Sequence, residues 1–212
     1  MKKHLLAAVA MALASSATLA QVAAVEWPGN PQNVYTNGPY MMGYEFSVSI
    51  SQMAVGLGAF DDQGDGFATG SHHVGLWTDS GTLLADAFVS SADALQGHFR
   101  YTSIAGVQLL AGQTYIVGAD NWGGGGDNWA WRETGGMGLV EAPGIKHIQD
   151  KFQAGSGFVF PNLSEGTFRD GFYGGNFQVA GAPIPEPETY ALMALGLGLI
   201  GFVGRRRATA SA

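Results

Sequence analysis

Three stretches of the chain carry side chains able to do chemistry. In the first, Asp61, Gln63 and Asp65 alternate and Gly66 follows, a spacing that offers oxygen ligands to a hard cation, with a glycine to turn the loop. The twelfth position, where a bidentate glutamate would complete a calcium loop, is His72. Asp61, Asp62 and Asp65 therefore stand as candidates for a looser calcium site. The competing reading, an Asp/Gly-rich connection between strands, is favoured by the missing ligand. In the second stretch, His72 and His73 beside these carboxylates suggest an imidazole–carboxylate metal site. Adjacent strand residues point to opposite faces, however, so the pair reads as solvated strand-edge histidines. His98 and His147 show no ligand spacing.

The third stretch spans residues 120–132, where an Asp-Asn-Trp triplet occurs twice, at Asp120 and at Asp127, with four glycines between the copies. A phosphate cradle would need a following helix and a positive partner, and two aspartates repel phosphate. Indole faces beside Asp and Asn side chains instead suit sugars, which stack their C–H faces on the ring and bond through their hydroxyls. Trp122, Trp129 and Trp131 are the candidate glycan contacts. The alternative is that Trp129 or Trp131 plugs the core while the glycines form a loop.

No Gly-x-Ser-x-Gly elbow is present, and with no cysteine there is no thiolate nucleophile, thiolate zinc site or disulfide. No catalytic residue and no cofactor is expected. A hydrolase that acts on carbohydrate with two paired carboxylates is the alternative to a non-enzymatic module, because such a pair leaves no sequence signature. The 212 residues carry a net charge of −7, which argues against nucleic acid as a partner.

The elements that must position these groups are strands. Residues 44–50 alternate, with Phe46, Val48 and Ile50 on one face and Glu45, Ser47 and Ser49 on the other. Further strands are expected at 53–60, with Val55, Leu57 and Ala59 on one side, and at 74–77 and 82–90, which flank the polar turn Asp79-Ser80-Gly81. Others are expected at 99–103, 106–110, 113–119, 158–160 and 172–179. Ile145, Ile148 and Phe152 at i, i+3 and i+7 suit a short helix or a covering loop. The body, residues 25–182, thus reads as all-β, a single antiparallel β-sandwich or jelly roll.

Both ends read differently. Lys2 and Lys3, an apolar run and a small-residue tail form a secretory signal peptide over residues 1–20, cut after Ala20, with Ala24 the second choice. At the other end Pro183-Ile184-Pro185-Glu186-Pro187 opens an extended linker, 183–189. An apolar run over 190–204 follows, then Arg205-Arg206-Arg207. As a helix this run reaches about 22 Å, short of a hydrocarbon core of roughly 30 Å. The arginines hold its end in the cytoplasm, and residues 190–207 make a short, transiently inserted transmembrane helix.

Pro185-Glu186-Pro187, the Gly-rich apolar run and Arg205-Arg206-Arg207 resemble the PEP-CTERM sorting signal of Gram-negative bacteria. The resemblance implies a substrate of the secretion machinery and of exosortase, cut near Pro-Glu-Pro and sent to the cell envelope, the cell surface or the exterior. Residues 74–77, 81–85 and 110–119 similarly resemble a β-sandwich domain of unknown function found in exported bacterial proteins. That second resemblance supports the fold and says little of a ligand; with the tryptophan stretch, the expected function is an adhesion, glycan-associating or structural module of the extracellular matrix or biofilm, with extracellular polysaccharide as a partner. Processing at both ends would remove five of the ten basic residues, leaving a body of net charge −10.

Overall fold

A computed structural model of the chain describes residues 19–29, 31, 34–121, 127–131, 138–166 and 171–183, and these are all-β. The chain divides into two units. Gln21–Ala180 carries the core. Of the other, Met1–Ala20 with Gly181–Ala212, only 19–20 and 181–183 are described, all as strand. The rest of the expected signal peptide, most of the linker with Pro185, Glu186 and Pro187, and the apolar helix with Arg205, Arg206 and Arg207 lie outside the described residues. Among those described, no helix is long and apolar enough to cross a membrane.

The strands are β1 (Leu19–Ala23), β2 (Val25–Glu26), β3 (Val34–Tyr35), β4 (Tyr40–Val48), β5 (Gln52–Phe60), β6 (Ser71–Thr78), β7 (Leu83–Ser90) and β8 (Ala94–Gln96). They continue with β9 (Phe99–Leu109), β10 (Thr114–Asn121), β11 (Trp129–Trp131), β12 (Val140–Glu141), β13 (Ile145–Ala154), β14 (Phe172–Tyr173) and β15 (Gly175–Pro183). Two five-stranded sheets form, in the orders β1-β15-β5-β9-β8 and β13-β4-β10-β6-β7, with two small sheets, β14-β11-β3 and β12-β2. The large sheets face each other across one core, in which Phe46 of the second stacks on Phe177 of the first at 4.6 Å. Inside it Asn176 accepts a hydrogen bond from the Tyr44 hydroxyl and donates to Val25 O and the Tyr101 hydroxyl, so one buried amide ties both sheets to the N-terminal segment. The expected sandwich is therefore observed.

Several local expectations change. Phe46 and Val48 are buried as expected, but Ile50 lies beyond the end of β4 and is exposed. In β5 the register slips between Ala54 and Gly56, and Ala54 rather than Val55 joins Leu57 and Ala59 in the core. The two strands expected at 99–110 are one, β9, and the strand expected at 172–179 is divided at Gly174 into β14 and β15. The segment expected as a short helix or covering loop at 145–152 is strand β13. A bulge at Ile148 shifts its pairing with β4, so that Ile145, His147 and Asp150 are the buried positions. A bulge inserts one residue into a period of two, which mimics a helical repeat over a single turn.

Residues 158–160 are not a strand but part of a strap across the outer face of the second sheet. Gly43, Gly118 and Gly75 stand side by side on β4, β10 and β6. Pro161 lies over Gly118 and Phe158 over Gly75, where a Cβ would run into the Trp77 and Phe158 rings.

Candidate functional site

The three stretches singled out above meet at one end of the sandwich. The loop after β5 is organised by an ion pair. Asp61, buried at the strand end, takes Arg100 Nε at 2.5 Å and the Gly66 amide on both carboxylate oxygens, at 3.1 and 3.2 Å. The same guanidinium donates to Gly64 O at 2.9 Å and Asp93 O at 3.0 Å, so one arginine fork closes the turn. Asp62 accepts from Asn128 Nδ2 at 2.7 Å, and Asp65 is exposed. These carboxylates, with Gln63, Asp127 and Asn128, line a polar cleft of ≈ 140 Å³. Among the described residues no three acidic or imidazole groups converge on a metal-binding point. Asp61 is engaged by the arginine and the Gly66 amide and Asp62 by Asn128, while Asp65 is exposed.

The second Asp-Asn-Trp copy is a set of tethers. Asp127 accepts from the Ala68 amide (2.6 Å), the Thr69 amide (3.1 Å) and the Thr69 hydroxyl (2.7 Å), pinning the 61–70 loop. Asn128 holds Asp62, and Trp129 Nε1 donates to Asn37 Oδ1 at 3.0 Å. Trp129 is 5% exposed, stacked on Tyr35 and edge-on to Phe172 in a small cluster with Met42 beside the main core, so its ring face is covered. Trp131 is half-buried, with Tyr35, 38% exposed, at its edge. Trp122 lies outside the described residues.

The histidines separate as strand geometry requires, but they are not both solvated. His72 points inward and is 5% exposed, with its ring edge against Phe67. Its Nδ1 donates to Asp120 O at 2.7 Å, and Nε2 lies 3.2 Å from Asp127 Oδ2. With Nδ1 a donor, Nε2 gains from the carboxylate only if it too carries a proton. Burial by itself opposes that charge. The Asp120 side-chain and backbone hydrogen bonds and the charges of Asp120 and Asp127 outweigh it, and hold the imidazole above its ordinary 6.5. Asp127 moves the other way. Burial would raise it, but the Thr69 hydroxyl, the Ala68 and Thr69 amides and the His72 charge together hold it below 3.8. Asp120 accepts from the His73 amide at 2.7 Å through one oxygen, and its other oxygen is buried with no partner among the described residues, further negative potential beside His72.

His73 points outward. Its Nε2 meets Asp86 Oδ2 at 2.6 Å, and its ring lies between Phe88 at 4.2 Å and Phe158 at 3.7 Å. Nothing in the sequence near His73 announced Phe158, which arrives from 85 residues away on the strap. Nor did the spacing announce Asp127 as the anchor of residues 68–69, although it opens the second copy of the repeat.

Comparisons with known proteins match two parts of the chain. A PEP-CTERM protein-sorting motif matches residues 183–207, which marks an exported protein sorted by exosortase to the cell envelope or surface. No curated protein matches the chain. The profile of a domain of unknown function, DUF4082, matches residues 26–169, more than half of the chain and most of the two-sheet body, and the chain belongs to the DUF4082 family.

Proposed function

We propose that the chain is a non-enzymatic, glycan-associating module of the extracellular matrix, delivered by its sorting tail in a Gram-negative bacterium and released from the membrane after cleavage near Pro185. The observation that carries the non-enzymatic half is how the carboxylates at the cleft are used. Of the four carboxylates at the cleft, Asp61, Asp62 and Asp127 accept from amides, a hydroxyl, an asparagine or an arginine of the protein itself, which leaves exposed Asp65 as a single carboxylate where a hydrolytic mechanism needs two. A hydrolytic pair needs one carboxyl free to give a proton and another free to face water or the sugar carbon. Glycan association is supported by aromatic surface, at Trp131 with Tyr35 beside it, and in sequence by the tryptophan of the first repeat copy, Trp122.

The test is retention of the purified protein on cellulose, chitin and a soluble β-glucan, with reducing-end release followed in parallel. Retention without new reducing ends is the expected result. Release of reducing ends would replace the module by a hydrolase, and absence of retention on all three would end the glycan reading. Mass spectrometry of the secreted protein tests the delivery separately: a chain intact through Arg207 would contradict cleavage near Pro185.

A further inference from the structure

The β6–β7 hairpin carries on its outer face a group of side chains that the tethering role of the nearby loops leaves unexplained. The hairpin register sets His73 opposite Phe88 and Gly75 opposite Asp86, so Phe88, Asp86 and His73 share one face. Phe88 is 65% exposed, the most exposed large apolar side chain among the described residues. Water-facing phenyl rings are normally mobile, but this one is braced. Its inner face lies on His73 at 4.2 Å and 19°, His73 lies on Phe158 at 3.7 Å and 17°, and Phe158 lies on Trp77 at 5.3 Å and 29°. Four rings thus form a column whose far end is the buried Trp77 and whose near end is an open phenyl face.

Asp86 extends the same surface. One of its oxygens takes His73 Nε2 at 2.6 Å, which fixes the carboxylate, while its side chain stays 44% exposed. We infer that the open face of Phe88, with the Asp86 carboxylate beside it, is a contact site for a neutral polysaccharide chain. The ring receives the axial C–H face of a pyranose, and the carboxylate accepts from hydroxyls of that or the next sugar. No side chain has to be ordered on binding, since the column and the His73–Asp86 pair already hold both groups.

Charge selects the class of glycan. No lysine or arginine stands between Lys3 and Arg100, so the hairpin has no cation with which to hold a uronate, sulfate or phosphate. Asp86 and a chain of net charge −7 repel such groups. A second copy of the chain would bring a second Asp86 and the same net charge to the patch, which disfavours self-association there. The site is separate in sequence and in sheet from Trp131 and Tyr35, which sit on β11 and β3.

This inference rests on the glycan-association reading, and the experiment distinguishes the two. The purified full-length mature protein, Phe88→Ala, Phe88→Trp and Asp86→Asn are compared for retention on cellulose, chitin and a soluble β-glucan, with oligomeric state measured by light scattering. Phe88→Ala should weaken binding about tenfold on whichever glycan retains the parent, while Phe88→Trp preserves or strengthens it. Asp86→Asn should weaken it less, because an amide oxygen still accepts. If Phe88→Ala binds like the parent, the site is wrong while the glycan reading stands. If the parent binds none of the three, both fall. If the parent is a dimer that Phe88→Ala converts to monomer, the patch is a contact between copies and the sugar site is refuted.

Discussion

His72 and His73 are chemical duplicates one residue apart, and the sandwich makes them opposites. His72 is enclosed among Asp120, Asp127 and Phe67, where its charge is costly to bury and is held by three separate negative or carbonyl partners. His73 has one carboxylate and two aromatic faces, with water within reach. The inner histidine therefore works through electrostatics, linking a loop to a strand, and the outer one works as a flat ring in a column. The difference shows that the period of two in β6 assigns each imidazole its chemistry, while the neighbours that complete it come both from nearby, Phe67, Asp86 and Phe88, and from 47 to 85 positions away, Asp120, Asp127 and Phe158.

The inner arrangement is most exposed to Asp127→Ala. That change strips the Ala68 and Thr69 amides and the Thr69 hydroxyl of their acceptor and, below pH 6.5 where His72 is charged, removes one counter-charge from a buried imidazolium. A loss of about 3–5 kcal/mol is expected, because one member of a buried charge pair is left behind. Denaturant unfolding measures it, and hydrogen exchange should rise first at residues 68 and 69. A loss within about 0.5 kcal/mol, the range of ordinary surface changes, would mean that the loop is held by something other than Asp127.

The pH dependence follows from the same pair. His72 is raised above 6.5 in the folded chain, so its contribution is complete below 6.5 and is lost as pH rises through its folded value. Asp127 is depressed below 3.8, so its contribution is complete above 3.8 and is lost as pH falls through its folded value. The tether is firmest between those two ordinary values. His72→Gln should cost about 1–3 kcal/mol within that window and abolish the alkaline slope, read as the midpoint of urea unfolding against pH. An unchanged slope in the variant would assign the titration to another group.

Gly75→Ala probes the outer face. A methyl at Gly75 meets the Trp77 and Phe158 rings, so the strap must lift or the column must shift. About 1–3 kcal/mol is expected, with a red shift of tryptophan emission as Trp77 gains solvent. No such shift would mean that Phe158 does not seal Trp77.

Much of this division was legible beforehand, and what was missed has a physical pattern. Alternation at residues 44–50 revealed which side of β4 faces inward, because burial on one face is a local property of a strand. Asp79-Ser80-Gly81 revealed the β6–β7 hairpin for the same reason. The bulges at Val55 and Ile148 were not legible, since a bulge answers to the partner strand rather than to its own residues. His72 looked solvated because the groups that make burial tolerable, Asp120 and Asp127, are recognisable as its partners only once β10 lies beside β6. Phe158-Val159-Phe160 looked like a strand because an apolar triplet that caps a glycine trough and one that joins a sheet have the same composition. The tryptophan repeat pointed to the right place, but not to what its polar members do there. Asp120 ties β10 to β6, Asp127 and Asn128 hold the loop after β5, and its aromatic at Trp129 is buried.

The smallest effect belongs to His73→Ala, and it decides whether the two histidines differ in kind. The variant loses the Asp86 pair, in which the carboxylate is well exposed, and such pairs contribute up to about 1 kcal/mol. It also loses two ring contacts, but Phe158 keeps Trp77, and the His73 amide still donates to Asp120. Stability should fall by about 1 kcal/mol or less, and the pH slope set by His72 and Asp127 should survive. What should change is local: Phe88 loses its brace, so its ring signals in an NMR spectrum should narrow and average. A loss as large as that of His72→Gln would show that the outer column, like the inner tether, holds the fold together. Phe88 would then be exposed as a by-product of packing rather than as a prepared surface.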